Sequence, residues 1–390
     1  MTNEYTESQD TNEFTESQDK TSPVSITLEA CIAQLKALPH FSQVPAISGR
    51  IRNDATDFDV TEQLSFELCG QGEHLYLFIE KKESNSDWIA KQLQKIAGLR
   101  SQDVGYAGKK DRFSVSRQWF SLHLPGKGET DAAIIEQIKN ELAESISILK
   151  TTRHNKKLRT GAIKSNYFKI IIKQLDGVIS ESSVASLRSK GFPNYYGYQR
   201  FGRDFYNLIS ADKLLRQQIR VRSRNKRGIY LSAARSAMFN LQLANRINSG
   251  FWDCALEGDC LMINGSQSFF NCEQIDDDVK QRMESGDIHP SGWLAGHQAS
   301  QVTKQAKAVE GETVAQFEPW INGLKDFRMD SARRAYRVIP GDLTVEQVDQ
   351  TTAVIEFSLP AGCFATSLLR ELVNITDAQI ERSAPAKQEE

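Results

Sequence analysis

Apolar and polar residues alternate in five segments of the chain, and each alternation predicts a β-strand. In the first segment, Phe58–Phe66, the side chains of Phe58, Val60, Leu64 and Phe66 are predicted to share one face. The other four segments are rich in aromatic or β-branched residues: His74–Ile79, Gln118–Leu124, Phe168–Ile172 and Ala353–Leu359. Strands spread this far along the chain predict one substantial sheet.

Other segments have the apolar spacing of helices. In Ser86–Gly98 and Ser232–Gly250 the first residue is a serine that can cap a helix, and the last is a glycine that can end it. Thr366–Ile375 is predicted to be an apolar helix. Between about residues 191 and 337 helical patterns dominate, which predicts a second, mostly helical unit, after which the chain rejoins the first.

Length and composition indicate a globular protein of more than one domain. The 390 residues exceed the usual size of one domain, and 39% are hydrophobic while 25% are charged. The sequence contains no run of about 18 apolar residues and no apolar segment typical of a signal peptide. We therefore predict a cytoplasmic protein, without membrane association, and expect a monomer.

The spacing of cysteines and histidines does not indicate a metal site. The six cysteines include no Cys-x-x-Cys pair, and the six histidines show no His-Glu-x-x-His spacing, so reduced, mostly buried thiols are expected. The chain also lacks the Gly-x-x-x-x-Gly-Lys-Ser/Thr phosphate loop and the Gly-x-Gly-x-x-Gly dinucleotide fingerprint. We expect chemistry without a metal, a nucleotide cofactor or any other cofactor.

The N-terminus is a nearly exact duplication, TNEYTESQD followed by TNEFTESQD, with six acidic residues and one lysine in the first 20 positions. A segment this polar cannot bury a core, so residues 1–24 are predicted to be a disordered acidic tail. Residues 385–390 are predicted to fray. The net charge of the whole chain is −2, so the remainder is slightly basic.

Two windows of the sequence are basic and contain no acidic residue. Lys150–Lys173 holds eight lysine and arginine residues, and Arg216–Arg235 holds seven. A charge run is often only a solvated face of a protein. Two such windows in a nearly neutral chain nevertheless favour a polyanionic partner such as a nucleic acid.

An aromatic segment, Phe192–Phe205, lies between these windows. Its rings and guanidinium groups alternate along the chain: Tyr195, Tyr196, Tyr198, Arg200, Phe201 and Arg203. Rings and guanidinium planes beside a basic surface suit contact with unstacked RNA bases. A turn whose rings pack into the core would give the same pattern, so both interpretations stay open.

A single carboxylate, Asp111, lies between Lys110 and Arg112 in the segment Gly105–Phe120. A turn residue before a strand would account for it. The neighbouring cations would also suit a carboxylate that acts as nucleophile or base, and they would attract an RNA phosphate. No second acid is evident beside it, so we expect chemistry with little proton transfer.

Five short motifs occur in one order along the chain. They are Ala107-Gly-Lys-Lys-Asp111, Asn194-x-x-Gly197-x-Gln199-Arg-Phe-Gly202, Arg224-Asn-Lys-Arg227, Leu231-Ser-Ala-Ala-Arg-Ser236 and Leu359-Pro-Ala-Gly-Cys-Phe-Ala-Thr-Ser367. Together they resemble the tRNA pseudouridine synthases of the TruD type, over nearly the whole chain after the tail. Two positions depart from that family's pattern: Ala55 stands where proline is common, and Cys363 where serine is usual.

The resemblance implies an α+β fold. A pseudouridine synthase-like catalytic domain with a mixed, largely antiparallel sheet would comprise residues 25–190 and 339–384, interrupted by a mostly helical insertion, the TRUD domain, at residues 191–338. It also implies isomerisation of uridine 13 of tRNA to pseudouridine, without a cofactor, on a uridine flipped out of its stack.

The resemblance assigns the catalytic role to Asp111, which would either attack the ribose or remove a ribose proton. We expect its carboxylate to be buried, with Arg52 or Lys110 as the cation that pairs with it or with a phosphate. Arginine and lysine residues of the aromatic segment and of the second basic window are expected to bind RNA: Arg200, Arg203, Arg224, Lys226 and Arg227.

The same resemblance implies a uridine pocket. Phe58 and Phe364 would pack on the base and Asn166 would bind it by hydrogen bonds. Phe168 has the same strand parity as Asn166 and could face the same site, although a core position explains it equally well.

Two other classes of function remain open at this point. One is a non-catalytic protein that binds or folds RNA and has kept the basic surface. The other is a glycosidase that excises a base, which would require a second acid to activate water.

Overall fold

One sheet of eight strands forms the framework of the computed structural model, which describes residues 25–126 and 128–383. The tail predicted at residues 1–24 and the frayed end predicted at 385–390 lie outside the described residues. In the described part of the chain no helix is both long and apolar enough to cross a membrane.

The strands and helices follow one another from residue 28 to residue 383. The strands are β1 (Ser48–Ile51), β2 (Phe58–Leu64), β3 (His74–Lys82), β4 (Val104–Tyr106), β5 (Val115–His123), β6 (Ile146–His154), β7 (Ile163–Ile172), β8 (Phe192–Pro193), β9 (Asp259–Ile263), β10 (Phe269–Cys272), β11 (Ile288–Leu294), β12 (Ala332–Ala335), β13 (Arg337–Val338), β14 (Gly341–Asp349), β15 (Thr352–Pro360) and β16 (Asn374–Asp377). The helices are α1 (Leu28–Lys36), α2 (Ser86–Ile96), α3 (Asp131–Leu142), α4 (Glu181–Lys190), α5 (Tyr206–Leu215), α6 (Arg224–Asn248), α7 (Asp277–Glu284), α8 (Lys304–Val314), α9 (Glu318–Asp326), α10 (Ala365–Leu369) and α11 (Ala378–Ser383).

The large sheet has the strand order β14-β15-β7-β2-β5-β3-β6, with β4 paired to β5. Neighbouring strands are antiparallel except β2 and β5, which run parallel. The predicted fold class, an α+β fold around a mixed and largely antiparallel sheet, is therefore confirmed.

The face of this sheet that packs against helices is apolar at both ends. Towards β15, side chains such as Ile170 and Phe357 pack in one cluster with α4 and α10. Towards β3, side chains such as Leu77 and Phe120 pack in another cluster with α2 and α3. Burial of these two clusters fixes the helices on the sheet and stabilises each half of it.

Between the two apolar clusters the same face carries polar side chains. Strand register places Glu62 of β2 opposite Asn166 of β7, and Lys81 of β3 opposite Ser116 of β5. Ser116 in turn lies beside Val60, which has the same parity as Glu62. We call Lys81, Ser116, Glu62 and Asn166 the central polar band.

The predicted face of the first strand is correct only for its first half. Phe58 and Val60 pack in the cluster of β15 and β7, but Leu64 and Phe66 pack with Tyr76 on the opposite side of the sheet. The register between β2 and β7 shifts between residues 63 and 64, and such a bulge reverses the face of the residues that follow it.

Two predicted helix starts are also wrong. Asn85, rather than Ser86, caps α2 by accepting a hydrogen bond from the backbone nitrogen of Asp87. Helix α6 begins well before Ser232, because Ser223 accepts a hydrogen bond from the backbone nitrogen of residue 226 and caps it there.

The helix predicted at Thr366–Ile375 is wrong in its second half. Helix α10 ends at Leu369, and the chain then turns into β16, which pairs in parallel with β1. These backbone hydrogen bonds to a distant strand replace the helical ones that the local apolar pattern suggested.

The region between residues 191 and 338 contains five of the helices and a small sheet of order β10-β9-β11-β12, which the helical prediction missed. Its core packs α5, α6 and α9 together through side chains such as Leu208, Met238 and Trp320. Helix α1, assigned above to the catalytic domain, packs against this second core through Cys31 and Leu35. The remaining domain limits stay a prediction.

Candidate active site

Asp111 lies in the loop between β4 and β5, at the edge of the sheet where β5 and its parallel neighbour β2 both begin. The loop is tied to the sheet and to α2 by polar contacts. The backbone nitrogen of Lys110 donates to Oγ of Ser86 at 3.1 Å, and Nε2 of Gln118 donates to the carbonyl oxygen of Gly108 at 3.3 Å. These contacts hold the backbone at Gly108 and at Lys110, directly before Asp111.

Arg52 binds the carboxylate of Asp111. Its Nη2 lies 2.8 Å from Oδ2 of Asp111, and its Nη1 lies 2.5 Å from Oδ2 of Asp377. The guanidinium carbon lies 4.0 Å from the centre of the Phe58 ring, within the range of a cation–π contact. Arg52 also has a left-handed backbone with a φ of 57°, a conformation that costs energy and that these contacts hold in place.

Asp377 was missed by the sequence interpretation, which found no second acid near Asp111. The parallel pairing of β1 with β16 places Asp377 beside Ile51, the neighbour of Arg52. The backbone nitrogen of residue 379 donates to its other oxygen at 3.1 Å. A local pattern could not have found this residue, because its position depends on a strand pair more than 300 residues apart in sequence.

The carboxylate of Asp111 is less buried than expected. Its side chain is 45% exposed, whereas that of Arg52 is 5% exposed, because the aspartate sits on a loop and the arginine is covered by Phe58. Our expectation of a buried carboxylate was therefore wrong. The expectation of a cation beside it was correct for Arg52.

Lys110 pairs with a different carboxylate. Its Nζ lies 2.9 Å from Oε2 of Glu62, and both side chains are buried. Burial raises the pKa of the Glu62 carboxyl, and the charge and hydrogen bond of Lys110 partly offset that effect. Glu62 occupies a position of β2 where the alternation predicts an apolar residue, and this break in the pattern was a signal that the interpretation did not use.

Three of the residues predicted for the uridine pocket lie on or beside the inward face of the sheet. Phe58 and Phe168 contact each other edge to face, with ring centres 6.2 Å apart, and Phe168 stacks on Phe357 at 5.3 Å. Phe168 is thus a member of the apolar core. Asn166 lies two positions along β7 in the central polar band, beside Glu62.

Phe364 follows β15 and is half-buried. Its ring meets that of Tyr196 edge to face at 5.8 Å. A Cβ atom at Gly197 would lie 2.9 Å from Cδ1 of Phe364, so the glycine of the second motif allows the aromatic segment to pack directly on this ring. The second and fifth motifs therefore meet in space.

Several buried polar atoms around the central polar band have no hydrogen-bond partner among the described residues. They are Oδ1 of Asn166, Oγ of Ser116 and Nε of Arg52. Leaving a buried polar atom unpaired costs about 1–3 kcal/mol, and native proteins rarely do so without a reason. A polar ligand that enters here would find both hydrogen-bond donors and acceptors.

The predicted RNA-binding residues lie in two places. Arg224, Lys226 and Arg227 occupy the first turn of α6, and no acid of the described chain lies within 4.0 Å of them. Arg203 is exposed in the loop before α5 and lies 3.6 Å from Asp204. Basic groups at a helix N-terminus oppose the helix dipole, so this turn has unbalanced positive charge.

The first basic window is partly neutralised by acids from other parts of the fold. Arg153 pairs with Asp131 at 2.6 Å, and Lys169 pairs with Glu356 at 2.9 Å. Lys173 likewise pairs with acids of the segment that precedes β2. For these members of the window, the interpretation as a charged face with local partners is correct.

The aromatic segment divides between core and surface. Tyr195 and Phe201 are almost fully buried and belong to the core, Tyr196 is half-buried, and Tyr198 is exposed. Burial strongly raises the pKa of the Tyr195 hydroxyl. Of these four tyrosine and phenylalanine rings, those of Tyr196 and Tyr198 remain accessible enough to contact a base.

No group of three or more histidine, cysteine, aspartate or glutamate side chains within residues 25–126 and 128–383 is arranged to hold a metal ion. The groups that the site offers are the carboxylate of Asp111, the guanidinium group of Arg52 and the central polar band.

The fold defines an α+β protein whose site lies on a mixed sheet, and a solved structure has the same architecture. The crystal structure of a Methanosarcina mazei protein that carries the TruD name superposes with a TM-score of 0.63 over 88% of this chain and 97% of its own, at 18% identity.

Sequence comparison identifies the family. The model of the family "tRNA pseudouridine synthase D (TruD)" matches residues 34–220 and 203–372. The tRNA pseudouridine synthase D of Methylococcus capsulatus is 43% identical over 83% of this chain and 91% of its own. That of Aeromonas hydrophila is 40% identical over 88% and 96%, respectively. The chain belongs to the TruD family of tRNA pseudouridine synthases.

Proposed function

We propose that this protein isomerises uridine 13 of tRNA to pseudouridine, with Asp111 as the catalytic carboxylate. The observation that carries the proposal is the ion pair of Asp111 with Arg52, at 2.8 Å, on a loop beside buried polar atoms that lack partners. The carboxylate is held in one orientation and is still partly accessible, as a group that must reach a ribose requires.

The reaction breaks the glycosidic bond between C1′ and N1, turns the uracil in the pocket, and joins its C5 to C1′. Asp111 either attacks the sugar or removes a ribose proton, and both routes need an ionised carboxylate at a fixed position. Arg52 supplies that fixation through its planar guanidinium group. No step needs a metal or another cofactor.

The uridine must leave its stack to reach Asp111, which costs roughly a few kcal/mol. We propose that Phe58 and Phe364 contact the flipped base and that Oδ1 of Asn166 accepts a hydrogen bond from it. Phe168 supports Phe58 from the core, and Lys110 acts through Glu62. The partner is tRNA, held by basic residues of the aromatic segment and α6: Arg200, Arg203, Arg224, Lys226 and Arg227.

Replacement of Asp111 by asparagine tests the proposal. Asp111→Asn keeps the shape of the side chain, and we expect it to lower the rate of pseudouridine formation on unmodified tRNA by about 10² to 10⁴-fold or more, with tRNA binding nearly unchanged. Asp103→Asn is a matched control, because Asp103 also pairs with an arginine, Arg100, at 3.0 Å. A normal rate in Asp111→Asn would refute the mechanism.

Asp377 revives the alternative of a base-excising glycosidase, since it supplies a second acid near Asp111. However, Arg52 and the backbone nitrogen of residue 379 each bind one of its two oxygens, which leaves it poorly placed to activate water. The same assay distinguishes the two reactions, because excision releases free uracil and isomerisation does not.

A further inference from the structure

Two arginine side chains lie against the ring of Tyr196, and a third is near it. The guanidinium carbon of Arg334 lies 4.1 Å from the ring centre, and that of Arg200 lies 5.2 Å from it. Arg200 is also 5.9 Å from the ring centre of Phe364. Arg235, on α6, is close enough to interact electrostatically with Tyr196. We call Arg200, Arg235 and Arg334 the arginine cluster.

None of the three arginines has a carboxylate within 4.0 Å in the described part of the chain. Their hydrogen bonds go to neutral oxygens. Arg200 donates to Oγ of Ser232 (3.3 Å), and Arg235 donates to the carbonyls of Leu294 and Asp330 (2.9 Å each). Arg334 donates to the carbonyls of Gly362 (3.0 Å) and Asn194 (3.2 Å) and to Oδ1 of Asn194. The Nε atoms of Arg200 and Arg235 are buried and have no hydrogen-bond partner among the residues that the structure describes.

This arrangement places like charges together in a partly buried position. Burial, and then the charge of Arg334, lowers the pKa of Arg200, and burial likewise lowers the pKa of Arg235. The cation–π contacts with Tyr196 offset only part of that cost. An anion bound between the guanidinium groups would offset the rest.

Several other stacked arginines of the described chain have acidic partners, although Arg382, which lies over Phe113, has none within 4.0 Å there. Arg246 lies over Tyr336 and pairs with Asp259 at 2.6 Å. Arg282 lies over Phe270 at 5.6 Å and pairs with Asp287 at 2.7 Å. The missing acid at the arginine cluster is therefore not a general property of arginines that stack on rings in this fold.

We infer that the arginine cluster is a subsite for a phosphodiester group of the RNA, beside Phe364. Guanidinium groups bind phosphate oxygens through paired, charge-assisted hydrogen bonds. Within the described part of the chain, the guanidinium group of Arg200 donates only to Ser232. The inference rests on the proposed function for the identity of the ligand, because Phe364 belongs to the proposed base pocket. A phosphate bound here would lie next to the nucleotide that turns out of its stack.

The test measures the affinity of an unmodified tRNA transcript over a series of salt concentrations. Arg200→Gln is expected to raise Kd by about 5–10-fold near 0.1 M salt and to reduce the slope of log K against log salt by about one, the loss of one phosphate contact. Arg282→Gln is the control, since it also removes a stacked arginine but one with an acidic partner. Identical curves for the two variants would overturn the inference.

Arg200→Lys keeps the charge and should retain most of the salt slope while losing the paired hydrogen bonds. If thermal unfolding shows that Arg200→Gln is not folded, Arg235→Gln takes its place with the same expected slope, and an unchanged slope overturns the inference.

Pseudouridine formation by the unaltered protein separates the two proposals. If the unaltered protein forms no pseudouridine but Arg200→Gln reduces the slope of log K against log salt, the protein has the subsite and lacks the proposed activity. If the unaltered protein modifies tRNA and the salt slope is unchanged in both Arg200→Gln and Arg282→Gln, the protein has the activity and lacks the subsite.

Discussion

Nζ of Lys81 lies 3.0 Å from the carbonyl oxygen of Asp111. The ammonium group also donates to the carbonyl oxygen of Ser84 at 2.7 Å, and the lysine is fully buried. Within the described residues no carboxylate lies within 4.0 Å of this nitrogen. Lys81 thus binds the backbone of the loop that carries Asp111, and its charge is not neutralised by a neighbour.

Lys81→Met should slow catalysis without weakening tRNA binding. Loss of hydrogen bonds from a charged donor costs about 1.5–3 kcal/mol each, so we expect the single-turnover rate at saturating enzyme to fall at least about 10-fold as the loop loosens. Lys109→Met is the control, because Lys109 lies in the same loop but is exposed and pairs with Asp87 at the surface. Equal rates in the two variants would contradict this role.

The buried ammonium group should also make stability depend on pH. Burial lowers the pKa of Lys81 to about 8, an effect that the charge of Asp111 opposes and that of Lys110 reinforces, whereas the unfolded value is 10.5. Between these values the unfolded chain binds more protons than the folded one, so the contribution of Lys81 to stability rises with pH and is lowest below about pH 8.

Urea unfolding of the unaltered protein and of Lys81→Met, between about pH 7 and pH 10.5, would measure this contribution. The free energy of unfolding of the unaltered protein, relative to that of the variant, should increase by up to roughly 3 kcal/mol from the lowest to the highest pH. If the difference in free energy of unfolding between the two proteins did not change with pH, the pKa of Lys81 would not be lowered in the folded protein.

For catalysis, the planar guanidinium group of Arg52, with its two terminal nitrogens, should matter more than its positive charge alone. Arg52→Lys keeps a cation but cannot bind two carboxylates and cover Phe58 at once, so we expect the rate of pseudouridine formation to fall about 10-fold or more with little change in the Kd for tRNA. Arg50→Lys is the matched control, because Arg50 lies two residues earlier and pairs with Glu381, a half-exposed carboxylate. Similar rates of pseudouridine formation in both variants would show that the guanidinium group of Arg52 is dispensable.

Gly197 should not tolerate even a methyl group. The Cβ of Gly197→Ala would lie 2.9 Å from Phe364 and 2.8 Å from Oε1 of Gln199, so one of them must move. We expect a loss of about 1–3 kcal/mol in stability and weaker tRNA binding as the ring shifts. Gly228→Ala, in α6 with no neighbour within 4 Å, should instead stabilise the protein by about 0.5–1 kcal/mol.

Thermal and urea unfolding of the two alanine variants would measure these opposite effects. If Gly197→Ala stabilised the protein, or changed its stability as Gly228→Ala does, the second and fifth motifs would not be packed together as described.

The sequence predicted five strands of the large sheet, β2, β3, β5, β7 and β15, because their inward positions alternate with outward ones, but it missed β4, β6 and β14. It did not predict their order, which depends on pairings between distant segments. The face of β2 was assigned correctly up to Val60 and wrongly at Leu64, because a bulge has no signature in a pattern of period two. The strand Ile288–Leu294 was missed because nearly all of its residues are buried, so no alternation marks it.

Asp111 and its partner Arg52 could be proposed from the sequence, yet Asp377 and Lys81 could not. Arg52 and Asp377 meet through β1 and β16, and Lys81 reaches the loop from β3. Glu62 gave a usable signal, an acid at an apolar position of a strand. Asp377 gave none, since a local helical pattern covered the strand that carries it.

The pairing of β1 with β16 sets a condition on biosynthesis. Arg52 is added by the ribosome 325 positions before its partner Asp377. A nascent or C-terminally truncated chain would already contain the loop of Asp111 but would lack the strand that secures its arginine. Competence for chemistry would then arise only after β16 has been synthesised and has paired with β1.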